Sequence, residues 1–275
     1  MTGSPVISSI VATPTARAPG GSPPRLWEID AVRTLAIAMM VTYHAVYDIE
    51  LLSPGLGPDP FTGAWGALPE ATGSLFLLVA GLSLSVADAR AEARGVGARG
   101  RLARHARRAI VVLGAALLVT AATSVAFGDR YVRFGILHVI AAAMLVAAAT
   151  VRLGAWNIVL GTAVVAAGVA VSGLDGPAWL LPIGVGPADV SSVDYWPLLP
   201  WLGPMLIGVG LGRLLYPGGV PGPIAGRLAG RSTVPSRLLA PARHSLMVYL
   251  GHQLLLIPVV WLVLLAAGVD VPQPR

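Results

Sequence analysis

The chain contains no cysteine and no lysine, and it has few charged residues of either sign. Only 12 % of its 275 residues are charged, whereas a soluble domain has about a quarter. Without cysteine, a disulfide framework, a thiolate metal site and a thiol nucleophile are all excluded. Without lysine, every basic side chain is arginine, which together with the many alanines and glycines indicates a GC-rich bacterial coding bias.

Several chemistry-bearing motifs are also absent. The sequence has no P-loop, no GxGxxG following a strand, no HExxH and no CxxC. These motifs cradle phosphates, hold zinc or carry out redox chemistry. Phosphate-cradling loops and zinc sites therefore have no support, and no metal is expected.

What the chain has instead is apolar sequence, at 55 % of its residues. Each apolar stretch is near the ~20 residues that cross ~30 Å of hydrocarbon. Because backbone groups in lipid must be paired internally, the chain is predicted to be an all-α polytopic membrane bundle of about seven transmembrane helices. The predicted stretches are 32–52, 70–87, 109–127, 134–150, 156–173, 196–215 and 245–267.

Arginine is distributed unevenly, which predicts orientation because basic residues are retained on the cytoplasmic side. The segment 90–108 is rich in arginine, whereas the loops 53–69 and 174–195 contain acids and no arginine. Only the turn 128–133 breaks the pattern, with two arginines on the predicted outer side. The N-terminus is therefore predicted inside and the C-terminus outside. The same asymmetry explains the net charge of +6 without nucleic acid as a partner.

Composition also predicts the domain boundaries. Residues 1–24 are rich in Pro, Gly, Ser and Thr and are expected to be a disordered cytoplasmic tail. Residues 25–268 form the predicted transmembrane domain, and 269–275 a short C-terminal tail.

The first predicted helix carries His44 and Asp48 one turn apart. At 100° per residue both share a stripe with Arg33, and that stripe must face the bundle interior or a wet cavity. A carboxylate four residues from an imidazole can fix its tautomer and raise its basicity. The pair is typical of a base and the group that orients it, although it could also serve only to lock two helices together.

Other polar residues are weaker candidates. His138 lies near the outer end of the fourth helix and is either a second acid/base or a packing residue; Asp194 and Tyr195 lie at the outer interface, where Tyr is commonly a belt anchor. His252 lies near mid-membrane, where hydrogen bonding within the bundle is the default. Three inner arginines, Arg104, Arg107 and Arg108, are topogenic anchors or ligands for the phosphates of a cytoplasmic cofactor.

Five blocks of sequence occur in an order that resembles a known family. They are "EIDAVRTLAIAMMVTYHAVYD", "SLFLLVAGLSLS", "RFGILHVIA", "DYWPLLPWLGPMLIGVGLG" and "HSLMVYLGHQ". Over about residues 25 to 255 the chain resembles the bacterial relatives of heparan-α-glucosaminide N-acetyltransferase, within the wider group of transmembrane acyltransferases.

The resemblance implies a multi-pass enzyme of the bacterial plasma membrane. Acetyl-CoA would enter from the cytoplasm, and the acetyl group would pass through the bundle to a sugar or cell-envelope glycan on the far side. His44 matches the polar position late in the first helix where the family has its catalytic machinery. The first outer loop, 53–69, contains no histidine, which leaves His44 as the candidate base.

The expected roles follow from the residues and the resemblance together. The candidate catalytic residues are His44, Asp48 and His138; the candidate cofactor-binding residues are Arg33, Arg104, Arg107 and Arg108; the candidate substrate-binding residues are Asp194, Tyr195 and His252. Without a cysteine nucleophile, direct transfer is favoured over an acyl-enzyme, and an acyl-histidine stays open. Oligomeric state is also open, a homo-oligomer included.

A second class of function competes with the acetyltransferase. In a proton-coupled transporter the same ionisable groups would relay protons across the membrane. Paired broken helices at corresponding positions of two halves would favour a transporter, and the sequence contains no such pairing.

Overall fold

The computed structural model describes residues 26–229, 234–235 and 237–271. These residues form α-helices joined by turns and short 3₁₀ segments, with no strand among them, which confirms the all-α prediction. The helices are α1 (Trp27–Leu52), α2 (Gly63–Ala93), α3 (Ala98–Phe127), α4 (Ile136–Thr150), α5 (Trp156–Val171), α6 (Leu198–Leu215), α7 (Pro223–Ala229), α8 (Ala240–Arg243) and α9 (Ser245–Ala266). The predicted tail 1–24 and residues 272–275 lie outside the described residues.

Six segments of the described chain are long and apolar enough to cross a membrane. They contain α1, α2, α3, α4, α6 and α9. The remaining predicted stretch, the fifth along the chain, is α5, an apolar helix of 16 residues. It is shorter than each of the six candidate spans, of which the one that contains α4 continues to Leu153. α5 packs along α6, where Gly161 lies against the backbone of Gly203 and Gly168 against Pro200. The count of seven spans therefore stays a prediction that depends on α5.

The helices extend further than the apolar pattern predicts, mainly at the ends rich in arginine. α2 continues to Ala93 and α3 already begins at Ala98, so the connection between them is only residues 94–97. Ion pairs of the buried Arg101 stabilise these extensions: its Nε lies 3.0 Å from Oδ1 of the buried Asp88, and its Nη2 lies 3.1 Å from Oε1 of the exposed Glu92. Hydropathy underestimates the helix because the stabilising contacts here are polar.

The centre of the bundle is the crossing of α2 and α6, with α4 packed against both. Leu77, Val139, Met205 and Val209 are fully or almost fully buried in this core. A Cβ at Gly81 would collide with the backbone carbonyl of Met205, and one at Gly208 with that of Leu78. Small residues of this kind let membrane helices approach closely. The three helices form a rigid base for the polar groups of α1, α3 and α9.

The orientation of the chain leads to a direct experiment. With seven spans, a reporter fused at the C-terminus is expected to be active outside the cytoplasm, and one inserted at residues 94–97 inside, because arginine flanks the latter. Paired phosphatase and fluorescent-protein fusions measure both sides. A C-terminal reporter active inside would mean that α5 does not cross the membrane.

Candidate active site

A cavity of about 700 Å³ opens between α1, α2, α3, α4 and α9. Its mouth is basic and its deeper wall is apolar. The mouth residues are Arg33, Arg104, His105, Arg107, Arg108 and Arg243. The deeper wall includes Phe76, Ile136, Leu137, Ile140 and Met144. The cavity therefore suits a ligand with an anionic end and a long, less polar arm.

Three of the arginines at the mouth differ from Arg33, which forms an ion pair with Asp30. Arg104, Arg107 and Arg108 are exposed, and within the described ranges none of them forms an ion pair. In contrast, Arg101 one turn earlier is buried and paired with Asp88. From sequence, Arg104, Arg107 and Arg108 were the candidate phosphate ligands of this segment. The structure adds that Arg101 is a structural cation paired within the protein, whereas those three are available to an anion.

The depth of the cavity follows from helix geometry. Leu137 lines the cavity and packs against Ala116 of α3. From Arg104 to Ala116 the helix advances roughly 18 Å at 1.5 Å per residue. The cavity thus extends from the basic mouth deep into the bundle. Leu137 and Tyr249 belong to one cluster at its deep end, which is the end far from the mouth.

Two imidazoles lie next to this deep end of the cavity. The ring centroids of His44 and His252 are 4.7 Å apart with the planes nearly perpendicular, and the ring of His252 is 5.7 Å from that of Tyr249, which lines the cavity. From sequence, His44 was a candidate catalytic residue and His252 a candidate substrate-binding residue. The structure brings them together, although they come from the first and last long helices of the described chain.

Backbone carbonyls fix the tautomers of both rings. His44 Nδ1 lies 2.8 Å from the carbonyl oxygen of Met40, and His252 Nδ1 lies 2.6 Å from that of Tyr249. A carbonyl oxygen only accepts, so each Nδ1 carries a hydrogen and donates it. Each neutral ring then has its lone pair at Nε2, and His252 Nε2 is buried without a hydrogen-bond partner.

Asp48 requires a correction to the predicted pairing. It was expected to orient His44, but Gln253 Nε2 donates to Asp48 Oδ1 over 2.6 Å, and the carbonyl of Met40 holds the His44 ring. Helical side chains point back toward the N-terminus, so His44 reaches the carbonyl four residues earlier and not the carboxylate four residues later. Asp48 thus joins α1 to α9.

The Asp48–Gln253 contact is incomplete. Asp48 is fully buried, and both its Oδ2 atom and Gln253 Oε1 have no hydrogen-bond partner. In Asp48→Asn the new amide can accept from Gln253 Nε2 and donate to Gln253 Oε1. We therefore expect Asp48→Asn to unfold at or above the wild-type temperature, and Gln253→Leu to lose about 1–3 kcal/mol because the buried acid loses its partner.

Thermal unfolding in detergent measures both variants of this pair. Gln253→Leu is the sharper probe of the glutamine because it removes both polar atoms at similar volume, whereas Gln253→Asn would retain an amide. Equal destabilisation by Asp48→Asn and Gln253→Leu would show that the carboxylate charge itself is required.

His138 has both ring nitrogens engaged. Its Nδ1 accepts from the Gly135 N–H over 3.2 Å, and its Nε2 lies 3.4 Å from Thr120 Oγ1, whose hydroxyl donates to the Val132 carbonyl. In the described chain, no hydrogen bond or ring contact joins His138 to His44. The geometry favours a role in holding the start of α4 against α3, and its predicted catalytic role remains untested.

Asp194 and Tyr195 are held in the same outer region. Asp194 Oδ2 accepts from the Ile136 N–H at the first turn of α4 over 3.0 Å. Burial raises the pKa of Asp194, and hydrogen bonds from Ile136 and Trp196 act in the opposite direction. Tyr195 donates to the Leu181 carbonyl over 2.7 Å. A substrate-binding role for either residue stays a prediction.

Three residues at the site were not singled out from the sequence: Arg243, His105 and Gln253. Gln253 follows His252 in "YLGHQ", one of the blocks that carry the resemblance. His105 is almost completely buried among the arginines, and its Nε2 lies 3.5 Å from Asp88 Oδ1. Arg243 is the last residue of the short helix α8, and only the fold brings it to the mouth of the cavity.

Comparisons with known proteins give one match. A family model described as heparan-alpha-glucosaminide N-acetyltransferase, catalytic, matches residues 25–254. No curated protein and no solved structure matches the chain.

Proposed function

Because the chain belongs to the heparan-alpha-glucosaminide N-acetyltransferase catalytic family, we propose that it transfers an acetyl group from cytoplasmic acetyl-CoA to an extracytoplasmic sugar or glycan. Family membership makes it a multi-pass membrane protein of an acetyltransferase family. The donor, the acceptor and the bacterial plasma membrane as its location belong to the proposal. The cavity, with its basic mouth and the adjoining imidazoles, is the observation that supports it best.

The cavity suits acetyl-CoA in two respects. The phosphates of CoA require cations, and the guanidinium groups of Arg104, Arg107, Arg108 and Arg243 present several donors each. The arm that carries the thioester is long and less polar, as is the wall from Phe76 to Met144. A donor bound in this way would bring its thioester to the end of the cavity near Leu137 and Tyr249.

The chemistry assigned to this end of the cavity is direct acyl transfer. A hydroxyl or amine attacks a thioester only when a base removes its proton and the oxyanion is stabilised. His44 is the proposed base because its Nε2 carries the lone pair. The first turn of α4 also borders this end of the cavity, but its Ile136 N–H already donates to Asp194, so only the role of the base is assigned to a residue here. Direct transfer is proposed over an acyl-histidine.

Acetyl-CoA binding is the first test of the proposal. A ligand that binds only the folded state raises the melting temperature with its concentration. Acetyl-CoA is expected to raise the melting temperature of the purified protein in detergent, and a simple sugar without CoA is not. A protein stabilised by the sugar and unaffected by acetyl-CoA would contradict the acetyltransferase and favour the transporter.

The arginines at the mouth provide a residue-level prediction. Replacing Arg104 and Arg107 together with alanine should raise the KM for acetyl-CoA at least about tenfold, which corresponds to about 1.4 kcal/mol of lost binding. Turnover at saturation should change little, because these contacts act on bound donor and transition state alike. Steady-state assays on the purified variant measure both constants.

The matched control removes the same charge elsewhere on the arginine-rich segment. Arg94 and Arg99 are exposed and do not line the cavity. The Arg94→Ala, Arg99→Ala variant should keep a wild-type KM. Equal changes in the KM for acetyl-CoA in both double variants, or no change in either, would mean that the arginines at the mouth serve only as topogenic anchors.

A further inference from the structure

We propose that His252 acts with His44 as one base that shares a single proton. This inference rests on the proposed function. His44 would take the proton from the acceptor, His252 would hold it in common with His44, and the proton would then reach the sulfur of the departing thiolate. Atoms balance in this sequence: acceptor–H and acetyl-S-CoA give acetyl-acceptor and HS-CoA.

The hydrogen bonds of the two imidazole rings leave few places for an additional proton. Both Nδ1 atoms donate to backbone carbonyls, so neither ring can exchange its tautomer without breaking a bond to the backbone. The only positions left for another proton are the two Nε2 atoms. His252 Nε2 is buried and has no partner, and the neighbouring imidazole, 4.7 Å away between centroids, belongs to His44.

Charge argues for one shared proton and against two. Two imidazolium ions at this separation would repel each other, and a like charge disfavours the second ionisation. In the neutral pair, His252 Nε2 is not hydrogen-bonded to His44. A single proton taken up at one Nε2 adds only one charge and supplies the donor that the neutral pair lacks. Coupled groups of this kind titrate as a pair and not as separate residues.

The surroundings contain few other groups that could take the proton. Among the described residues, the titratable side chains in ring contact with the pair are Tyr43 on α1 and Tyr249 on α9. Asp194 acts on Tyr249, and Asp48 lies one turn beyond His44 on α1. Asp48 already accepts from Gln253. Tyr249 lies between His252 and the cavity, which makes His252 the imidazole nearer the donor and leaves His44 nearer the outer end of α1.

Two substitutions of His252 separate the shared proton from a packing role. An asparagine amide reproduces the Nδ1 donor toward the Tyr249 carbonyl and lacks Nε2, whereas a glutamine amide reproduces the Nε2 position. We expect His252→Asn and His252→Gln each to lower turnover about 10- to 100-fold, with KM for acetyl-CoA within about threefold. Normal turnover in folded His252→Asn would overturn the proposal, because only the anchoring bond would then matter.

A double-mutant cycle tests whether the two histidines act as a unit. Effects of residues that work together are strongly non-additive, so the His44→Gln, His252→Asn double variant should be no more than about threefold slower than His44→Gln alone. Multiplication of the two single effects would refute a shared proton. His244→Gln, which replaces an exposed histidine that immediately precedes α9, is the matched control and should keep wild-type turnover.

Nitrogen NMR on histidine-labelled protein gives a readout that needs no activity. Single substitutions assign the five histidines, and His44→Gln should shift the Nε2 signal of His252 because its proton partner is removed. An unchanged His252 signal would refute the pair even in an active enzyme. A wild-type protein that neither binds acetyl-CoA nor transfers acetyl groups, yet shows the coupled signal, would refute the proposed function and not the pair.

Discussion

Replacing His44 with glutamine is expected to lower turnover by at least about 10²-fold, the lower range for a positioned general base. Glutamine fills a similar volume but has no lone pair on nitrogen that can take a proton. Because His44 does not line the donor cavity, the KM for acetyl-CoA and the thermal shift caused by acetyl-CoA should stay near wild type. Single-turnover acetyl transfer by the purified variant measures the chemical step.

A packing role for His44 predicts the opposite pattern. In that case the variant would lose thermal stability, because the bond from Nδ1 to the Met40 carbonyl is lost, and activity per folded molecule would persist. His44→Asn is the companion variant, since its amide retains a donor near that carbonyl. Full turnover in well-folded His44→Gln would end the assignment of this residue as the base.

Replacing Gly81 or Gly208 with valine is expected to abolish the folded protein. At each position even a Cβ collides with backbone atoms of the facing helix, so α2 and α6 would have to separate. Separation opens the core around Leu77, Met205 and Val209. Overpacking alone lowers the free energy of unfolding by about 1–3 kcal/mol, and separating the backbones of α2 and α6 lowers it further. The total free energy of unfolding of a domain is only about 5–15 kcal/mol.

Membrane expression and gel filtration in detergent measure this effect. Gly114 on α3 is the matched control, because a Cβ there meets nothing within 4 Å. Gly114→Val should give a monodisperse protein with near wild-type yield. A monodisperse, stable Gly81→Val protein would show that the two helices can slide apart without loss of the core.

The helices could be predicted from sequence because the signal is local. A stretch of about 20 apolar residues has few alternatives in lipid, and six of the seven predicted stretches coincide with candidate spans. Boundaries were less accurate, as at Ala98, where α3 begins well before its apolar part. There the helix depends on Arg101 meeting Asp88, a contact that hydropathy does not register.

The candidate site was predictable only in part. The positions of His44 and Asp48 on one helix allowed their pairing to be expected, but i, i+4 spacing does not decide which neighbour a side chain binds. The true partners, Met40, His252 and Gln253, include two residues from the last helix. Which helices meet is determined by packing such as that of Gly81 against Met205, and this information is not contained in either segment alone.

The basic mouth of the cavity would bind the product of the proposed reaction as well as the donor. Acetyl transfer changes the thioester and leaves the phosphates of CoA as they were. In the proposed function, Arg104 and Arg107 would therefore bind free CoA about as tightly as acetyl-CoA, since contacts that do not change during the reaction bind both states equally. Free CoA would then compete with acetyl-CoA for the cavity. The rate of modification outside the cell would follow the cytoplasmic ratio of acetyl-CoA to CoA, and so report the supply of acetyl groups inside.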